Sequence, residues 1–388
     1  MIVQNHRPAW GEGEGWRVSE EPVLVIADTV ATGDGRYLID ADRLSNGDVV
    51  VLTDEGGRWF DGTGVLRRGF AVNGEGPGEF RYASQLRVLP GDTVAVFQGG
   101  PRGKMALFAH DGSLAHESLT DTKRRAALGR WGECRSLLLP DLSWTECDRD
   151  TKLPPSRTNR SSFDGDGDYV GPGPGLLREL RRIQRLSPAL DTAFPLGIDI
   201  GIEQQIVVLH DDRMTSIGHP YHAQTHMAAG GTPMRIAIAT NPHWEIELWT
   251  PDGRLTHRIR RDDGRRTPTP AESLEAVSLI EDSDSYYIRE EPGVTREELE
   301  RMLEWPDSLP GHSGLVVSNR GELLSRREPF WVASAPSTFD VLDADGGWLG
   351  SLALPARFRL LRAGDDYLLG VQFDDDDVPS VVVYGLER

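Results

Sequence analysis

The apolar residues of this 388-residue chain fall in short bursts of four to seven, without the three-to-four spacing of an amphipathic helix. Val49-Val50-Val51-Leu52, Val94-Ala95-Val96-Phe97, Ile236-Ala237-Ile238-Ala239 and Val381-Val382-Val383-Tyr384 are bounded by turn residues, which predicts buried strands. Two turn signals recur between the bursts. Gly followed by an acid precedes a strand at Gly47-Asp48, Gly91-Asp92, Gly167-Asp168, Gly321-Glu322 and Gly364-Asp365. Asp-Gly separates later strands at Asp61-Gly62, Asp111-Gly112, Asp252-Gly253 and Asp345-Gly346, where positive φ is easily adopted and a hairpin can reverse.

The first two Gly-acid marks lie 44 residues apart and the last two 43. A period of about 40 to 50 residues holding four strands is that of a propeller blade. Six units are predicted, at roughly 37–70, 80–118, 132–195, 205–260, 312–352 and 357–388. The chain therefore reads as all-β, a six-bladed β-propeller over 22–388 with an N-terminal arm, 1–21, and a short helical insertion at about 264–311. The burst Val23–Ala27 is then a spare strand, expected to close the ring by pairing with the last blade and so remove both exposed edges.

Within the insertion, Thr269-Pro270-Ala271-Glu272 and Thr295-Arg296-Glu297-Glu298 each read as a capping box opening a helix. Leu299 and Met302 share a face of the second helix, and Trp305 follows just before Pro306. These three residues either pack the helix onto the propeller rim or form a candidate partner-binding surface. Leu176–Leu186, after the Gly- and Pro-rich run 171–175, is compatible with a helix.

At Gly74-Glu75-Gly76-Pro77-Gly78-Glu79-Phe80, followed by Leu86-Arg87-Val88 and Gly91-Asp92-Thr93-Val94-Ala95-Val96, the chain resembles the bacterial six-bladed β-propeller proteins related to NHL-repeat proteins. Those proteins carry such a Gly-rich turn between consecutive blades. The resemblance implies export and a periplasmic or otherwise extracytoplasmic address, and it brings no assigned chemistry. The same turn is a poor phosphate cradle, because Pro77 removes an N–H and Phe80-Arg81-Tyr82 continues as a strand.

Composition narrows the function further. Asp plus Glu total 61 against 42 Lys plus Arg, a formal charge of -19, which excludes nucleic acid and anionic membrane as first expectations. No apolar run is long enough to span a bilayer, and residues 1–21 lack the apolar core of a signal peptide. Cys134 and Cys147 flank Pro140-Asp141 symmetrically, so a two-residue hairpin there would place them opposite each other and allow a structural disulfide, the alternative being two buried thiols.

Candidate chemistry is sparse. His219, His222 and His226, with His210 nearby, are the densest group of potential metal ligands, but Gly and Pro around them predict a loop. Asp164, Asp166 and Asp168 match the start of a calcium loop whose later positions fail, and Asp374–Asp377 reads as a solvated hairpin tip. Gly311-His312-Ser313-Gly314 lacks the last glycine of a nucleophile elbow. Asn73, Glu75, Asn241 and Asn319 could contribute to a metal site in a central channel, as propeller lactonases use, but nothing in the sequence gathers them. No catalytic, cofactor or metal residue is assigned. The expected function is non-enzymatic: a protein-interaction scaffold or accessory subunit, with the outer face of a membrane-embedded complex as one setting. The alternative is a metal-dependent hydrolase or lactonase.

Overall fold

In the computed structural model, which describes residues 1–27, 38–99, 103–128, 131–132, 136–148, 162–163, 169–170, 175–177, 181–199, 204–208, 214–218, 221, 224–240, 244–262, 267–282, 297, 300–301, 309, 311–327 and 336–388, the apolar bursts are the second or third strands of antiparallel sheets. Six such sheets form the blades of a propeller. From the innermost strand outward, blade 1 is Leu38–Arg43, Val49–Thr53, Gly56–Phe60 and Leu66–Phe70. Blade 2 is Gln85–Leu89, Thr93–Gln98, Lys104–Phe108 and Leu114–Leu119. Blade 3 is Trp131–Gly132, Trp144–Asp148, Arg181–Leu186 and Ala193–Asp199. Blade 4 is Thr225–Gly230, Arg235–Thr240, Glu245–Trp249 and Leu255–Arg261. Blade 5 is Gly314–Val317, Leu323–Arg326, Pro336–Leu342 and Trp348–Ala356. Blade 6 has Phe358–Ala363, Tyr367–Phe373 and Pro379–Glu387, and takes its outer strand from the other end of the chain.

Each middle strand is buried on both faces, which is why its sequence is a continuous apolar run and not an alternation. Val50 and Leu52 pack against Val94 and Val96 of blade 2, while Val49 and Val51 pack against Leu369, Val371, Val381 and Val383 of blade 6. The same division holds around the ring. Ala95 and Phe97 meet Trp144 of blade 3, and Ile236 and Ile238 meet Ile183. Ala237 and Ala239 meet Leu323 of blade 5, and Phe339 and Val341 meet Leu368 and Val382. Turn chemistry follows most of the predicted marks: Gly47, Gly91 and Gly321 take φ of 91°, 83° and 90°, and Gly112, Gly253 and Gly346 take 73°, 81° and 88°, whereas Gly62 and Gly364 do not take positive φ and Gly64, at 85°, does so in the Asp61 turn.

The expected closure is present, with Leu24 opposite Val383 and Ile26 opposite Val381. The N-terminal arm does more than precede it. Ile2–Asn5 joins Leu255–Arg261 in parallel as a fifth strand of blade 4. The amides of Ala9 and Trp10 then donate to the carbonyls of Trp348 and Leu349 in blade 5, and Arg17–Val18 pairs with the end of Pro379–Glu387 in blade 6. Residues 1–26 thus cover the outer edges of three successive blades, where unpaired N–H and C=O groups would invite other chains.

Three expectations need correction. Gln204–Val208 and Met214–Gly218 belong to a separate three-stranded sheet with Gly175–Leu177, so blade 4 begins at Thr225 and not near 205. The helix-compatible stretch 176–186 contains the strand Arg181–Leu186, because Ile183 and Leu186 are needed on opposite faces of blade 3 and packing overrides propensity. The Pro140-Asp141 hairpin is also longer than assumed. The Leu139 amide donates to Ser143 across a turn that includes Leu142 at φ 66°, Leu138 bridges to Trp144, and Gly132 lies opposite Cys147.

The helix Pro270–Asp282 starts at the predicted capping box: the Glu272 carboxylate accepts from the Thr269 amide and hydroxyl at 2.8 and 2.9 Å, and the Glu272 amide donates to Thr269 Oγ1 at 3.3 Å. The Tyr221 hydroxyl donates to the Glu272 carbonyl at 2.8 Å, which ties this helix to the ring. Glu297, Glu300 and Arg301 are helical, as the second capping box implies, but Leu299, Met302 and Trp305 lie outside the described residues. A further helix, Thr122–Leu128, was not anticipated; Asp121 caps it by accepting from the Lys123 and Arg124 amides at 3.0 Å.

Neighbouring residues of the closing strand give a direct test. Ile26 is 1 % exposed and packs between blades 6 and 1, whereas Val25 is 52 % exposed. Ile26→Ala is expected to lower unfolding stability by about 2–4 kcal/mol and Val25→Ala by less than about 0.5 kcal/mol, read from urea denaturation. Equal effects would show that the strand does not close the ring.

Candidate functional site: the central channel

The innermost strands of blades 1, 2 and 6 bring oppositely charged side chains together at the centre of the ring. Asp40 and Asp42 are two apart and share one face, while Ala41, on the other face, and Leu38, beyond a register shift, pack into the contact between blades 6 and 1. Register shifts fall between Leu38 and Asp40 and between Leu360 and Arg362, and such bulges re-aim the side chains beside them.

Arg362 is the hub. Its Nη2 donates to both carboxylate oxygens of Asp40 at 2.9 and 3.0 Å and to the Leu86 carbonyl at 2.8 Å, and its Nε lies 3.3 Å from Asp42. One guanidinium therefore joins blades 6, 1 and 2. The carboxylates have further donors: Asp40 accepts from the Leu86 amide at 3.0 Å and Asp42 from the Val88 amide at 2.8 Å. Burial works against the charged form of Arg362, but Asp40 and Asp42 outweigh it and push its pKa above the ordinary guanidinium value.

Arg87, on the innermost strand of blade 2, reaches past blade 3 to blade 4. Its Nη1 and Nη2 each lie 3.4 Å from the Ala229 carbonyl. Burial, aided by repulsion from Arg362 and opposed by Asp42 and Asp40, brings its pKa down to about 10, so it stays charged at neutral pH. Tyr367 sits beside this group; burial, followed by the charge of Asp42, raises its pKa and keeps it neutral. The Arg43 guanidinium covers the Tyr367 ring at 4.6 Å.

A second buried polar cluster lies between blades 4 and 5. His312 Nδ1 is 2.5 Å from Ser325 Oγ, and its ring is 4.8 Å from that of Trp244. Arg261 lies over Trp348 at 4.5 Å and Trp244 at 5.1 Å, and both Arg261 and Arg327 pair with the buried Asp340. Burial first, then the neighbouring His226 and Arg261, depress the His312 pKa to about 3.

Among the described residues, the sequence candidates are not brought together. His226 is buried in the innermost strand of blade 4, while His210, His219 and His222 lie outside the described residues, as do Asp164, Asp166, Asp168 and Asn241. Asn73, Glu75 and Asn319 are exposed at turns, and Asp374–Asp377 is the exposed hairpin tip expected. Ser313 leads directly into the strand Gly314–Val317. The Gly74–Phe80 turn is structural: Lys104 Nζ donates to the Gly76 carbonyl and pairs with Glu117, both at 2.8 Å, while the Gly78 amide donates to Glu117 at 2.6 Å. Cys147 is buried and is not a free thiol; Cys134 lies outside the described residues. The channel charges carry no ligand-type spacing in the sequence. The available signal was charge in the first strand of a predicted blade, at Asp40, Asp42, Arg87 and Arg362.

Two outcomes test these clusters. Arg362→Met leaves two carboxylates facing each other without their shared cation and is expected to cost about 3–5 kcal/mol in urea unfolding; a loss below about 1 kcal/mol would contradict the hub. His312 remains neutral in the folded chain down to about pH 3, whereas an unfolded histidine gains a proton near pH 6.5. Its contribution is complete above pH 6.5 and is lost as pH falls towards 3, amounting to about 2 kcal/mol by pH 5. Between pH 7 and 5 the stability of His312→Gln should therefore fall less than that of the parent, and parallel pH profiles would refute this.

No protein-family model matches the sequence. No curated protein matches it either. Solved structures do. A member of the DUF4221 family from Bacteroides vulgatus is 9% identical, with 96% of this chain and 99% of that one covered, at a TM-score of 0.50. A Bacteroides fragilis protein provisionally named as exported is 13% identical over 100% and 99% of the two chains, at 0.44. A gluconolactonase from Xanthomonas campestris is 13% identical over 98% and 99%, at 0.36. At these identities the likeness concerns the fold, and this chain is a six-bladed β-propeller with structural neighbours that include both proteins of unassigned activity and enzymes.

Proposed function

We propose that the chain is a non-enzymatic propeller that serves as a protein-interaction scaffold or accessory subunit outside the cytoplasm. The observation that carries this reading is the state of the channel carboxylates. A lactonase-type centre needs acidic side chains with oxygens to spare for a divalent cation, and Asp40 and Asp42 instead spend theirs on Arg362 and on the amides of Leu86 and Val88. A rigid ring with a formal charge of -19 suits a partner with a basic surface. The insertion residues Leu299, Met302 and Trp305 are the proposed contact, and the outer face of a membrane-embedded complex is one place for it. Among the described residues no helix is long and apolar enough to cross a membrane.

A disulfide between Cys134 and Cys147 fits an oxidising compartment and would stabilise by about 3 kcal/mol. Titration of the unreduced, denatured protein should find no free thiol; two free thiols would remove the bridge and this support for the address. For the function, affinity capture from native membranes should recover a partner that is retained at low salt and lost with Leu299→Asp or Trp305→Ala. Metal analysis of the purified protein is the opposing test. One bound divalent ion per chain would overturn the scaffold reading in favour of a metal-dependent hydrolase or lactonase.

A further inference from the structure

Residues 1–15 cross the outside of blades 4 and 5 with little burial. Ile2–Asn5 pairs with Leu255–Arg261 of blade 4, and the amides of Ala9 and Trp10 donate to Trp348 and Leu349 of blade 5 at 3.0 and 2.7 Å. Asn5 is the one residue of this segment that is fully buried. It lies opposite Arg261 on blade 4, while its side chain donates to the Gly346 carbonyl and accepts from the Trp348 amide on blade 5, both at 2.9 Å. Leaving one blade therefore means leaving the other. The second hold is Trp10, which is half-buried. A Cβ on Gly350 would stand 2.2 Å from its ring and one on Gly15 2.5 Å, so the indole fits only where two glycines leave room. Blades 4 and 5 each have four strands without this segment, and Leu24–Ile26 closes the ring further along the chain. A surface segment held by backbone hydrogen bonds and so few buried groups opens at a lower free energy than the fold as a whole.

We propose that residues 1–15 are a strap that opens as one unit from blades 4 and 5 while the ring stays closed, with the seat of Trp10 on Gly350 as its latch. Trp16 marks the fixed end: it lies under the Arg388 guanidinium at 4.2 Å, and the residues after it, Arg17–Val18 and Leu24–Ile26, are paired along Pro379–Glu387 as part of blade 6. Opening bares the outer edge of Leu255–Arg261, whose N–H and C=O groups then become free to pair. The latch thereby sets whether blade 4 presents a covered or an open edge. The strap is independent of the scaffold reading and of the insertion residues.

Amide hydrogen exchange of the full chain reads the opening from both sides. The amides of Ala9 and Trp10, that of Arg258, which donates to the Met1 carbonyl, and that of Trp348, which donates to Asn5, should exchange with one common opening free energy and little dependence on urea. They should exchange at least about tenfold faster than the amide of Val23, which donates to the Val383 carbonyl in the closing strand. Trp10→Ala should speed exchange at Arg258 and Trp348 by about a further tenfold and leave Val23 unchanged. Gly350→Ala should do the same from the ring side by denying the indole its seat. The double variant should open no further than Trp10→Ala, because both changes remove one contact. The proposal is overturned if the four amides exchange only with global unfolding, if Val23 exchanges together with them, or if Trp10→Ala accelerates Val23 equally. Additive effects in the double variant would remove the Trp10 seat as the latch.

Discussion

Every blade must bury both of its faces, and only a closed ring can satisfy that for all six at once. A sheet at the end of an open row would leave one apolar face in water. Here the face that Leu369, Val371, Val381 and Val383 present is covered by Val49, Val51 and Phe60, and Ile26 completes the contact from the far end of the chain. The closing strand is thus a condition for the contact between blades 6 and 1. At about 25 cal/mol per Å² of apolar surface, the loss of one such contact would remove stabilisation comparable to the net stability of an ordinary domain.

The ring leaves a second problem at its centre, where the innermost strands converge. Arg362 answers it by joining blades 6, 1 and 2 through Asp40, Asp42 and the Leu86 carbonyl, and Arg87 adds a reach to blade 4. Such buried pairs are weak evidence for net stability, yet breaking one leaves an uncompensated charge. Their use here is positional: they tie the innermost strands of different blades to one another. Around the outside, residues 1–26 perform the corresponding task for the edges of blades 4, 5 and 6.

Centre and rim therefore point to different functions. The centre is charged, with its carboxylates engaged, which suits a structural brace. The rim presents loops, the helix Pro270–Asp282 held by Tyr221, and an acidic surface. Broad display on a stiff ring is what a scaffold requires, and fold alone would be equally compatible with enzymes.

Much of the blade pattern was legible locally. Val49–Leu52 and Val94–Phe97 announce strands buried on both faces, the Gly-acid and Asp-Gly turns space them, and Thr269 with Glu272 marks a helix start, because each of these signals involves residues within a few positions of one another. The same locality explains the errors. The stretch 176–186 has helical propensity, and only its place between blades 2 and 4 makes part of it a strand. The Pro140 turn shifted a register that symmetry alone had assigned. The channel was beyond reach for the same reason: Asp40 and Arg362 are 322 positions apart, and Arg87 and Ala229 are 142 apart. Sequence determined which segments are strands and where they turn; which charges meet at the axis was decided only when the ring closed, since no short-range pattern records a contact between blades.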